Sequence, residues 1–199
     1  MEKKMNRERL EQVKQIARNS YSKDDFNFHI LPVVENSLLL AKKFPEADKE
    51  VIVIASFLHD IGRAISRGDF QKENEHHLTG VEESSKILKD IGYSEEFIEK
   101  VKHCVLTHRG RREPNPETIE AKIIASADAM AHFDTFLDLF TFFLKTTDSF
   151  KEAVIEIEQK FERNWNKKLM PEAKEIVGEK YNAIMLIIKS TKEHFDKEN

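Results

Sequence analysis

A single cysteine, Cys104, among 199 residues has no partner for an internal disulfide and fits a reducing compartment. Six glycines and five prolines are too few for a collagen-like chain or a Pro/Gly-rich disordered one. Long hydrophobic runs are missing: the most apolar stretches, residues 51–58 and 183–188, fall far short of the ~20 residues of a membrane span. Charge of one sign is also missing. Lys and Arg total 32 against 36 Asp and Glu, a net charge of −4, which gives no broad electrostatic footprint for nucleic acid. Residues 1–10 alternate charges without an apolar h-region, so no signal peptide is expected. These absences describe a cytoplasmic globular protein with neither a membrane nor a nucleic-acid partner.

What remains is helical. Apolar residues recur at three- and four-residue spacing, and sustained period-two alternation is absent. Helices are expected at 6–19, 28–43, 48–60, 77–90, 95–107, 117–132, 133–145, 148–168 and 172–194. Gly92 stands where a left-handed C-terminal cap belongs, and Pro116 and Pro171 open helices. Pro32 fits only if its helix begins near His29 or kinks there. The two longest loops are expected at 61–75 and 108–117. No linker or repeat divides the chain, so the expectation is one all-α domain over 1–199. Its core would lie at about 26–135, with flanking helices in 1–25 and 136–199.

Seven of the eight histidines lie between residues 29 and 132. The helix over 48–60 is apolar on nearly every face, so it should cross the core and deliver His59 and Asp60 at its C-terminal end. A carboxylate there faces the negative helix pole and, if buried, needs a cation, which a divalent metal supplies. The alternative is that Asp60 only starts a turn. Asp128 shares the stripe Ile124, Ala127, Ala131 and should point inward among small residues; a solvent-facing aspartate is the competing reading. His29 shares a face with Val33 and Leu40; a capping or core histidine is the competing reading. Val101, Cys104, Val105 and His108 form one stripe, whereas His103 sits ~140° away and faces solvent. Cys104 reads as core. His76 and His77 begin a helix, and either one can reach a site. Arg63 follows Asp60, and Arg109, Arg111 and Arg112 follow His108; guanidinium groups beside a metal suit phosphate oxygens.

In order, His29, His59-Asp60, His76 or His77, His108 and Asp128 resemble the H…HD…D pattern of the HD superfamily of metal-dependent phosphohydrolases. Local contexts agree: Phe28-His29-Ile30, Leu58-His59-Asp60-Ile61-Gly62, His76 four residues before Gly80, and Ala127-Asp128-Ala129. The resemblance implies an all-helical bundle in which His29, His59, Asp60 and Asp128 hold a divalent ion. Mixed imidazole and carboxylate ligands suit Mn, Fe, Co, Ni or Zn, with Mg also open. One ion is favoured. A second, through His76 and His108 with Asp60 bridging, remains open; otherwise those histidines would handle phosphate or protons. The spacing to Gly80 favours His76 over His77. No G-Y-P signature follows His108, which argues against a cyclic-di-GMP phosphodiesterase. The implied activity is hydrolysis of a phosphoester or phosphoanhydride bond in a small phosphorylated substrate such as a nucleotide. Asp60, His76 and His108 would act in catalysis, and Arg63 and Arg109 would bind phosphate. The alternative is a non-catalytic sensory module that binds metal and nucleotide.

Overall fold

The structure, a computed structural model, describes residues 6–66, 75–109 and 114–195. Among these residues it is all-α. Helix α1 spans Arg7–Ser20, and a short α2, Lys23–Asp25, runs into a π-helical turn at Phe26–Ile30. Helices α3 (Leu31–Ala41), α4 (Lys49–Leu58) and α5 (Ile61–Ile65) follow. Next come α6 (His76–Ile91), α7 (Glu95–Thr107) and α8 (Ile119–Asp134). The chain then forms α9 (Phe136–Thr146), α10 (Phe150–Arg163), a second π turn at Asn164–Lys168 and α11 (Pro171–Phe195). No described helix is long and apolar enough to cross a membrane.

The helix ends follow ordinary capping chemistry. Asp48 accepts from the amides of Glu50 and Val51, Ser94 from Phe97 and Thr118 from Ala121. Gly92 closes α6 at φ +89°, the left-handed conformation that glycine adopts without a Cβ penalty. Two helices form the centre. α4 is buried along its whole apolar length, as its sequence requires. α8 is buried nearly all round, well beyond the stripe that marked Asp128. α3 packs on both, α7 packs on both from another side, and α6 pairs with α7. α11 covers α8, and α1 covers α4. The hydrophobic core is contiguous from Val13 to Ile188.

Several local features depart from the expected helix map. The helix expected over 28–43 begins as the π turn, because Pro32 has no N–H to return to the Phe28 carbonyl. Instead the Leu31 amide donates to Phe26 O, five residues back. The helix expected to run to residue 60 stops at Leu58, and part of the expected loop at 61–75 is the short helix α5. The helix expected over 148–168 ends in a π turn, where the Leu169 amide donates to Asn164 O just ahead of Pro171.

Candidate metal centre

His59 and His108 are set by one device used twice. Each follows a helix whose last carbonyls lack intrahelical partners. His59 Nδ1 lies 2.8 Å from Ser56 O, and His108 Nδ1 lies 2.7 Å from Val105 O. A carbonyl can only accept, so Nδ1 carries the proton and the bare Nε2 faces the site. This is the arrangement that orients a metal-ligating imidazole.

His29 enters from the first π turn, and its Nε2 is 3.2 Å from His59 Nε2 and 3.4 Å from Asp128 Oδ1. These three residues form one group able to hold an ion. Asp60, His76 and His108 form the other. Asp60 Oδ1 lies 3.1 Å from His76 Nε2 and 3.3 Å from His108 Nε2. Its Oδ2 lies 3.5 Å from His29 Nε2 and 3.8 Å from His59 Nε2. One carboxylate therefore addresses both groups. Oδ1 is buried and accepts no hydrogen bond, although two imidazole nitrogens converge beside it. A buried carboxylate oxygen with no hydrogen bond, beside two imidazole nitrogens, fits a divalent cation in donor chemistry and charge.

Asp60 is not the C-terminal helix residue that its sequence position suggested. It sits at φ −106°, ψ 15° between α4 and α5, and its carbonyl accepts from the Arg63 amide. The negative end of α4 is thus offset by the N-terminus of α5, and the need for a cation comes from burial and crowding. Burial pushes its carboxyl pKa up, but the Arg63 guanidinium, 3.8 Å from Oδ2, and the surrounding imidazoles hold it well below the usual range. Burial lowers His59 to about 4, against the pull of Asp60.

Glycines at two positions allow this geometry. A Cβ on Gly62 would meet His76 O at 2.0 Å and Gly80 N at 2.5 Å, so α5 and α6 touch backbone to backbone. That contact brings His76 over Asp60, and the His77 ring stands beside that of His76, with centroids 6.1 Å apart. His103 stays away from the cluster, half-exposed, with its Nε2 accepting from the Glu117 amide. Cys104 is fully buried, and burial raises its thiol pKa, in keeping with a core role. Arg63 and Arg109 line the cleft over the cluster. Arg111 and Arg112 lie outside the described residues.

The sequence reading missed two residues. His132, one turn after Asp128, places Nδ1 3.8 Å from Asp128 Oδ1, and its ring lies 5.2 Å from that of His29. Burial and then the Lys160 charge depress its pKa. The i, i+4 spacing was the available signal. Lys168, on the second π turn, donates to Asp128 Oδ2. Burial raises the Asp128 pKa, but Lys168 and His132 outweigh it and hold the carboxyl well below the usual range. No sequence periodicity links residues 40 apart.

The HD domain family model matches residues 28–132, more than half of the chain and all six clustered residues. The 3'-5' exoribonuclease YhaM of Listeria innocua is 27% identical over 148 residues, which are 67% of this chain and 46% of that protein. Ribonuclease Y of Desulforudis audaxviator is 33% identical over 114 residues, which are 57% of this chain and 19% of that protein. The chain thus spans less than half the length of these relatives. A crystal structure described as a predicted HD superfamily hydrolase from an uncultured Thermotogales bacterium shares the fold. Its TM-score is 0.53 at 24% identity, covering 79% of this chain and 93% of that one. The chain belongs to the HD domain family.

Proposed function

We propose that the protein is a phosphohydrolase that cleaves a phosphoester or phosphoanhydride bond in a nucleotide or another small phosphorylated metabolite. The observation that carries this reading is Asp60, whose carboxylate faces two histidine groups while its buried Oδ1 accepts no hydrogen bond. His29, His59, Asp60 and Asp128 would hold the ion, one of Mn, Fe, Co, Ni or Zn, with Mg also open. A divalent ion supplies Lewis-acid activation of water and screening of phosphate charge. Asp60 would orient the attacking water or take its proton. His76 and His108 hold phosphate oxygens or pass a proton to the leaving group. Arg63 and Arg109 spread the charge of the phosphoryl group over guanidinium donors. Phe28 and Phe142 are exposed on the wall of the same cleft, where an aromatic face suits a base.

A second reading, an RNA end as substrate, is favoured by the exoribonuclease and ribonuclease names of the relatives. A non-catalytic sensor is disfavoured by a ligand set with no member lost. The deciding experiment is a release assay after chelation and reloading with each of the six candidate ions. It would include nucleoside mono-, di- and triphosphates, sugar phosphates and a short single-stranded RNA. Metal-dependent turnover of a small phosphate supports the first reading. Turnover of RNA alone replaces it with the second, and binding without turnover leaves the sensor.

A further inference from the structure

The cleft over the metal cluster has a volume of about 630 Å³, within the range of sites for whole small molecules and larger than one phosphate requires. Two separate sets of cations line it. Arg63 and Arg109 come from α5 and the end of α7, beside Asp60 and His108. Lys160, Arg163 and Lys167 come from α10 and the second π turn, outside the 28–132 match. Their i, i+3, i+7 spacing puts them on one face, beside the apolar stripe of Val154, Ile157 and Phe161 that anchors α10 in the core.

This face is fixed against the metal cluster. Ser126 Oγ, on α8, donates to Lys168 O and accepts from the Met170 amide. Lys168 itself engages Asp128. The following segment therefore cannot swing away without breaking contacts two residues from a candidate ligand. Among the described residues neither Arg163 nor Lys167 makes a salt bridge. A solvated basic surface would have no reason to converge on a concave wall tied to Asp128.

We infer that Lys160, Arg163 and Lys167 form a subsite for a second phosphate of the substrate, one that is bound and not cleaved. The inference rests on the phosphohydrolase reading and deepens it: the substrate carries at least two phosphates. The second phosphate is either part of a 5'-diphosphate or a separate 3'-phosphate, and the same cations serve both chemistries.

The test is equilibrium titration of the Mn-loaded protein with three ligands: AMP, adenosine 5'-(α,β-methylene)diphosphate and adenosine 3',5'-bisphosphate. At least one two-phosphate ligand should bind about tenfold tighter than AMP. Replacing the wall in the triple variant Lys160→Gln, Arg163→Gln, Lys167→Gln should reduce that ratio to within about twofold. Lys189→Gln, an exposed change on α11, should preserve it. The ligand that shows the preference identifies the source of the second phosphate. A triple variant that retains its circular dichroism and keeps the preference overturns the inference, as does a parent protein with no preference. If AMP binds and the two-phosphate ligands gain nothing, only the subsite falls. If none of the three binds, the phosphate reading of the metal centre falls with it.

Discussion

Lys168 Nζ donates to Asp128 Oδ2, pairing a cation from the second π turn with a carboxylate on the central helix 40 residues earlier. Both side chains are nearly buried, 10% and 8% exposed, so neither charge is well solvated. Breaking such a pair on one side leaves a buried charge uncompensated, at a cost of about 3 kcal/mol. Lys168→Met should destabilise the metal-free protein by that amount, read as a shift of the urea midpoint. Added Mn should restore more stability to the variant than to the parent, because the carboxylate is no longer shared. A variant as stable as the parent without metal would show that the pair behaves as a solvated surface contact.

Lys168 also marks where legibility from sequence ends. His29, His59, Asp60, His108 and Asp128 were found because each lies on an inward stripe or at the end of an apolar helix, and helical phase is local. His76 needed Gly62 and Gly80, whose meaning is a tertiary contact, although the four-residue step to Gly80 already favoured it over His77. The two π turns were hidden because a ladder slipped by one residue keeps nearly the same apolar pattern. α5 was hidden because five residues are too few to show a period. His132 was readable as the i+4 neighbour of Asp128, whereas Lys168 reaches the site only once α11 has folded against α8.

Stability of the metal-free protein should depend on pH through His59. Its folded pKa is about 4, lowered mainly by burial, while an unfolded imidazole takes its proton near ~6.5. Between those values the unfolded chain binds more protons, so stability is full above pH ~6.5 and drains away as pH falls toward 4. The difference amounts to about 3 kcal/mol. Burial depresses His132 in the same direction and adds to the slope. Urea midpoints of chelated protein at pH 7.5, 6 and 5 should fall in that order, and His59→Ala should flatten the series. A midpoint constant from 7.5 to 5 would contradict the buried neutral imidazole.

His76 and His108 distinguish one ion from two. Their Nε2 atoms both face Asp60 Oδ1, so a second ion would need them together. In that case His108→Ala or His76→Ala lowers the metal content by one ion per chain. If they handle phosphate instead, content is unchanged and turnover falls by ~10²–10⁴. His103→Ala is the internal control, since that ring bonds the Glu117 amide away from the cluster. Elemental analysis and turnover of the three variants decide the matter, and equal damage at 103 and 108 would sink both versions.

Gly62 supports the His76 half of the site through backbone contact. Its Cα approaches α6 so closely that an added Cβ would lie 2.0 Å from His76 O and 2.6 Å from Thr79 Oγ1. Backbone cannot rotate aside as a flexible side chain does, so α5 and α6 must separate. Gly62→Ala should therefore cost about 3 kcal/mol, the upper end for overpacking. The separation would draw His76 from Asp60, whereas His29, His59 and Asp128 lie outside α5 and α6. Turnover should fall about as far as in His76→Ala, and adding that second change to Gly62→Ala should lower it little further. Additive losses in the double variant would mean that the glycine contact serves stability alone and that His76 is positioned by something else.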